Sequence, residues 1–465
     1  MATLVALASQ SQLRRPRPYT PSPWGDFFLN HQTCTPSELL SMKEEAHAKK
    51  EKVRRTIMDV IGSNVDLIQK LELIDTLQQI GVDYHYKEEI NELLHRVYDD
   101  KDGGSDDLYV TSLRFYLLRK HGYVVPSDVF LKFEDEQGNV SSDDVKCLMT
   151  LYDAAHLRTH GEQILDNIIT FNKSRLQSLI TTNLEPDLAN EVHITLETPR
   201  FRRVKRIEAQ RYISVYEKKT TRDEMILKFA KLDYNILQAL YCEELKELTI
   251  TTDESNIFTE AIERWDEQAT EQLPTNLKEI FINILNTTYK VEKDIELQKN
   301  KHAKNFKEVV INTAKFYHAE VKWRDERYVP TTIEEHLEIS LLSAGCTQLI
   351  CLAFTSVSED VACREQAITW ALTFPKIIRA VSIVGRIGND IMSHEREQTS
   401  EHVASTVETC MKQYGVTVEE ANEKLRTIIE ESWMDIVEEC LDGKRPMEVL
   451  EKPVNSTNNG FHVQA

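Results

Sequence analysis

The sequence predicts an all-α protein, and three observations predict it. Only 14 Gly and 13 Pro occur among 465 residues. Long stretches are rich in Leu, Glu, Lys, Ala and Ile, which helix interiors tolerate where they do not tolerate Gly and Pro. No segment of any length alternates polar and apolar residues with the period of a strand. At 41% hydrophobic residues the chain can fill the cores of more than one domain.

The elements follow in order. Residues 1–36 read as an extended strap, because RPRPYTPSPWGDFF, from Arg15 to Phe28, carries four prolines and cannot be a regular helix. Helical signals begin at a Ser37/Glu38 start and continue over Val65 to Ile80, Tyr86 to Tyr98, Asp106 to His121 and Ser142 to His156. Gly81, the Gly103/Gly104 pair, Gly122 and Gly138 mark the turns between them. The charged stretch from Glu217 to Arg222 sets a domain boundary, giving one helical domain over 37–216 and a second over 217–441. The polar end of the chain, 442–465, with Ser456, Thr457, Asn458, Asn459 and Gly460 in succession, reads as a disordered tail. There is no internal repeat at the period of a solenoid.

Charge and cysteine content exclude several function classes. A formal charge of -20 opposes binding to nucleic acid or to an anionic membrane. The basic run of Arg200, Arg202, Arg203, Lys205, Arg206 and Arg211 is flanked by acids and has no aromatic ladder, so it reads as a solvated helix start. Cysteines 34, 147, 242, 346, 351, 363, 410 and 440 show neither a CxxC pair nor a metal-ligand spacing, which fits a reducing compartment. The most apolar stretch, Ala367 to Gly385, is broken by Lys376 and Arg379 and reads as a buried helix. The N-terminus reads as neither a transit peptide nor a secretory signal, so the cytosol is expected.

One constellation carries chemistry. In RIGNDIMSHEREQ, Asn389, Ser393 and Glu397 advance about 40° and ~6 Å per step on a helix, so three oxygen ligands line one stripe, with Asp390 beside it. Magnesium takes such oxygens and shares its remaining coordination with phosphate. Arg386, one turn earlier, can fork onto a phosphate. Read from these residues alone, an ordinary amphipathic helix is an equal alternative. Asp153, His156 and His160 also stand at a helical spacing that can bind zinc, but a structural role is the expectation there.

These residues and their surroundings resemble the plant class I terpene cyclases, of the angiosperm sesquiterpene synthase type. RIGNDIMSHEREQ is similar to that family's second metal motif. Arg14 and Arg15, followed by eight residues and Trp24, resemble its tandem-arginine strap. LELIDTLQQIGVDYHY, LRFYLLRKHGYVVPSDVF and LYDAAHLRTHGEQILD resemble the N-terminal α-barrel domain. LKFAKLDYNILQALYCEEL, FTEAIERWD and YVPTTIEEHLEISLLSAG resemble the catalytic one. The resemblance implies two α-helical domains and magnesium, replaceable by manganese, held by Asn389, Asp390, Ser393 and Glu397. It also implies Arg386 on the substrate diphosphate and Arg14, Arg15 and Trp24 in an active-site strap. The implied reaction is ionisation and cyclisation of farnesyl diphosphate by a monomer with no nucleic-acid or membrane partner.

One departure stands out. The family's first metal motif, DDxxD, is absent: Asp99/Asp100, Asp106/Asp107 and Asp143/Asp144 lack the third acid and lie in the first half of the chain. Leu248 is followed only by TITTDESNI before Phe258, where the family carries several helices. The shortened sequence after the Trp433 helix implies loss of the closing loop as well. The alternative expectation is therefore a catalytically inactive member of the same family.

Overall fold

Thr35 opens the first long helix: its hydroxyl accepts from the Glu38 amide while the Glu38 carboxylate accepts from the Thr35 amide at 2.8 Å, a capping box. The sequence placed this start two residues later, at Ser37. In a computed structural model, residues 27–31, 34–63, 65–100, 106–181, 184–251, 275–297, 303–354, 361–399 and 402–462 are described, and among them there is no strand. The helices are α1 (Phe27–Asn30), α2 (Pro36–Gly62), α3 (Leu67–Gln79), α4 (Lys87–Asp99), α5 (Leu108–Lys120), α6 (Val145–Ala155), α7 (Gln163–Ile180), α8 (Pro186–Glu197), α9 (Lys205–Lys218) and α10 (Glu224–Thr251). They continue as α11 (Thr275–Leu297), α12 (Ala303–Glu326), α13 (Ile333–Ser343), α14 (Cys346–Phe354), α15 (Val361–Leu372), α16 (Lys376–Glu397), α17 (Thr406–Tyr414), α18 (Val418–Leu441) and α19 (Met447–His462). The early helices lie where the apolar periodicity predicts them, because one face of each is buried.

The chain divides into two compact units. The first comprises 26–253 together with 434–451. Its core is built from Leu71, Ile74 and Leu77 of α3, Leu93 and Leu94 of α4, Phe115 to Leu118 of α5, and Leu151 of α6. Each such side chain contributes about 1.5–3 kcal/mol by leaving water. The sequence boundary at 216 is corrected here. Ile226, Leu227, Phe229 and Ala230 of α10 are buried in this same core, and α10 packs along α2. A charged linker is a signal of exposure, and here it marks only a turn inside one unit.

The second unit contains the described residues from 275 to 433 and 452 to 462. Ile333, Leu337 and Leu341 of α13 meet Ile383 and Ile387 of α16, Val407 and Cys410 of α17, and Ala421 and Leu425 of α18. This packing fixes α16, and with it the polar stripe on its other side.

The expected disordered tail is also corrected, since most of 442–465 forms α19. Val449, Leu450 and Val454 are buried, and the Pro446 carbonyl accepts from the amides of Val449 and Leu450. Apolar spacing outweighed polar composition. Residues 434–451 complete the N-terminal unit closely: Val437 joins its core, and Gly122, at φ +81°, would place a Cβ 2.9 Å from the Met447 methyl and 3.1 Å from the Cys440 carbonyl. Only glycine fits that backbone and that gap.

Candidate metal centre

α16 follows Pro375, whose carbonyl accepts from the Arg379 amide. Ile377, Ile378, Val381, Val384 and Ile387 turn inward and are buried. Asn389 is exposed, Ser393 is buried, and Glu397, partly exposed, is the last helical residue. The Ser393 hydroxyl donates to the Asn389 carbonyl at 2.9 Å, so its oxygen keeps lone pairs for a cation. A carboxylate at a helix C-terminus lies at the negative end of the helix dipole, an unfavourable placement worth about 0.3–1 kcal/mol that a bound cation reverses. An amide oxygen, a hydroxyl and a carboxylate are the hard donors that magnesium prefers. The residues fit the ion.

Asp390 does not belong to that set as the sequence reading had it. One residue on from Asn389 the helix turns by about 100°. That turn carries Asp390 inward, to 3% exposure. Its Oδ2 accepts from the Thr406 amide at 2.7 Å and so satisfies the start of α17, while Oδ1 lies 3.3 Å from Nε of Arg386. Both oxygens are engaged away from the stripe.

Arg386 stands one turn before the stripe, and its guanidinium lies between two carboxylates. Nη2 pairs with Oε1 of Glu320 on α12 at 2.9 Å, and Nε pairs with Asp390. Burial works against the charged guanidinium, but Asp390 and Glu320 outweigh it, so the group stays cationic, and Glu397 adds to the same pull. Burial pushes the Glu320 carboxyl up, opposed by Arg386. Behind this group His336 is fully buried, with Nδ1 2.9 Å from Thr409 Oγ1 and its ring against Trp323. Burial pushes His336 down to about 4, so it is neutral at physiological pH.

The other sequence candidates separate. Arg14, Arg15 and Trp24 lie outside the described residues, as does FTEAIERWD. Asp153 accepts from the Arg200 amide, His156 packs edge-on against Tyr152, and Nε2 of His160 lies 2.9 Å from Asp435, so those three do not converge on an ion. The basic run is matched by acids: Arg200 pairs with Asp75, Arg203 with Glu208, Arg206 with Asp233, and Arg211 with Glu191 and Glu208. A cavity of about 580 Å³ beside that run and another of about 470 Å³ at Trp323 and Tyr328 are lined by no residue of α16. Sequence reasoning missed Glu320, whose partner is remote in the chain, although the Arg386/Asp390 spacing of four was a visible sign of an ion pair.

Comparison with known proteins identifies the family. The profile for the terpene synthase N-terminal domain matches residues 23–196, and that for the terpene synthase family metal binding domain matches 241–435. The chain is 46% identical to (E)-beta-caryophyllene synthase of Zea mays over 493 aligned positions, which cover 93% of this chain and 89% of that protein. Within the aligned stretch, about 60 of the 493 positions have no counterpart in this chain, because 93% of its 465 residues is about 432. Beta-sesquiphellandrene synthase of Sorghum bicolor is 38% identical over 94% of this chain and 89% of its own. Isoprene synthase from grey poplar leaves, Populus x canescens, solved with three Mg2+ ions and dimethylallyl-S-thiolodiphosphate, has the same fold, with a TM-score of 0.83 at 24% identity over 91% of this chain and 93% of that one. With both domain profiles matched in order and relatives aligned along most of its length, the chain belongs to the terpene synthase family.

Proposed function

We propose that this protein is a magnesium-dependent sesquiterpene synthase that ionises and cyclises farnesyl diphosphate, releasing diphosphate. The observation that carries the reading is the stripe of hard oxygens on α16, Asn389, Ser393 and Glu397, set beside the cationic Arg386. Relatives named as sesquiterpene synthases support the substrate class. Asn389, Ser393 and Glu397 hold the metal, and Asp390 serves Arg386 instead. Bound there, magnesium supplies charge neutralisation to the departing diphosphate. Arg386 contributes charge-assisted hydrogen bonds to the same oxygens, which strengthen as negative charge develops on the leaving group. Arg14, Arg15 and Trp24 keep in this reading the role that the sequence resemblance implies for them. A monomer in the cytosol is part of this reading, supported by eight cysteines that are all free thiols.

The missing DDxxD motif makes a quantitative demand on the proposal. With one metal motif, fewer cations share the diphosphate charge, so turnover falls well below that of a relative carrying both. The test is to incubate purified protein with farnesyl diphosphate and magnesium and to analyse the hydrocarbons by gas chromatography. Cyclised product above that of a Glu397→Gln control is expected. Product no higher than in that control overturns the assignment of activity and leaves a family member without catalysis.

A further inference from the structure

We infer that Glu320 is a positioning residue for Arg386, clamping the guanidinium together with Asp390 by buried ion pairs so that it is held ready for diphosphate. The inference rests on the reading of α16 as a metal and diphosphate site. Three observations carry it.

The first is burial. The Glu320 and Asp390 side chains are each 4% exposed and that of Arg386 is 17% exposed. Two buried carboxylates around one guanidinium leave the group with a net negative charge, and an imbalanced buried cluster costs more than a neutral pair. Stability alone therefore gives no reason to keep the second acid. A cation bound on the adjacent stripe does, because it compensates the excess.

The second is the division of donors. A guanidinium has five N–H groups in a rigid plane. Nη2 lies 2.9 Å from Glu320 and Nε 3.3 Å from Asp390, and both contacts are ion pairs rather than aligned hydrogen bonds. Holding the guanidinium between two buried carboxylates removes the rotamer freedom that an arginine otherwise loses on binding a phosphate. Its N–H groups are held ready.

The third is that the clamp is itself anchored. Asp390 is fixed by the Thr406 amide at the head of α17, and Glu320 by its place on α12, which packs along α13. The orientation of Arg386 thus depends on three neighbouring helices of the same unit, which is how a group is held within the narrow tolerance a reactive site needs.

The test measures binding of inorganic diphosphate to the full-length protein in the presence of magnesium by titration calorimetry, with a thermal melt of every variant. Glu320→Gln keeps the shape and removes the charge. It is expected to weaken diphosphate binding by about tenfold, the value of one well-placed charge-assisted contact, while the melting temperature stays near that of wild type. In an Arg386→Lys background, where the fork no longer exists, Glu320→Gln is expected to add no further loss. A Glu320→Gln protein that binds as wild type, or a loss that adds in full to that of Arg386→Lys, overturns the inference. If Glu320→Gln fails to fold, Asp390→Asn is read against the same two outcomes. Absence of magnesium-dependent diphosphate binding in the wild type overturns the proposed site itself and is distinguishable from both.

Discussion

Two charge-rich segments, 200–211 in the N-terminal unit and 386–397 on α16, look alike in sequence and do opposite things. In the first, Arg200, Arg203, Arg206 and Arg211 each meet a carboxylate, and those pairs tie α9 and the turn before it to α3, α8 and α10. Its charge is consumed in holding the fold. In the second, the inward half of the helix is also consumed, by the Arg386 clamp, but Asn389 and Glu397 remain accessible at the surface. A functional segment is recognised less by its density of charge than by polar groups that reach the surface.

The comparison breaks most sharply at Arg200. Replacing it by Ala leaves the buried Asp75 without its cation and should cost about 3–5 kcal/mol of stability in urea unfolding, with no change in diphosphate affinity per folded molecule. On α16 the expectation inverts. Glu397→Gln should lower magnesium-dependent product formation by about a hundredfold, or ~2.7 kcal/mol in the transition state, while the urea midpoint stays within error of wild type. A smaller effect comes from His336, which burial keeps neutral with its titration pushed down to about 4. As pH falls below the ordinary histidine value of 6.5, the unfolded chain takes up a proton that the folded one refuses. The second unit should therefore lose about 2.5 kcal/mol between pH 6.5 and 4. His336→Gln, followed by circular dichroism across that range, should flatten the loss. The smallest effect belongs to Lys218, whose pair with Asp187 is exposed on both sides. Lys218→Ala should change stability by no more than about 0.5 kcal/mol.

Much of the N-terminal unit was legible in the sequence because local signals carried it. Apolar residues spaced for a helix, ended by Gly81 or Gly122, are information within a dozen residues, and α3 to α6 fall where they predict. What remained illegible was set at long range. Glu320 gives no local sign, since its value comes from Arg386 on another helix. The inward turn of Asp390 follows from which side of α16 faces the α13 core, and a three-ligand stripe by itself does not say that. The boundary at 216 and the disordered tail failed for a related reason: charge and polarity describe a segment's surface, whereas Phe229 and Leu450 decide where it packs.

The closure of the N-terminal unit by residues 434–451 bears on how the protein is made. A ribosome delivers the N-terminal helices long before the segment that carries Val437 and Met447, so the space above Gly122 stays open through most of synthesis. Contacts between residue 122 and residues 440 to 447 span more than 300 residues of sequence, and such contacts form late and slowly. The unit that begins first can therefore be completed only after nearly all of the rest has emerged. A nascent chain stalled before residue 434 would display an unfinished N-terminal core, a natural point of engagement for chaperones.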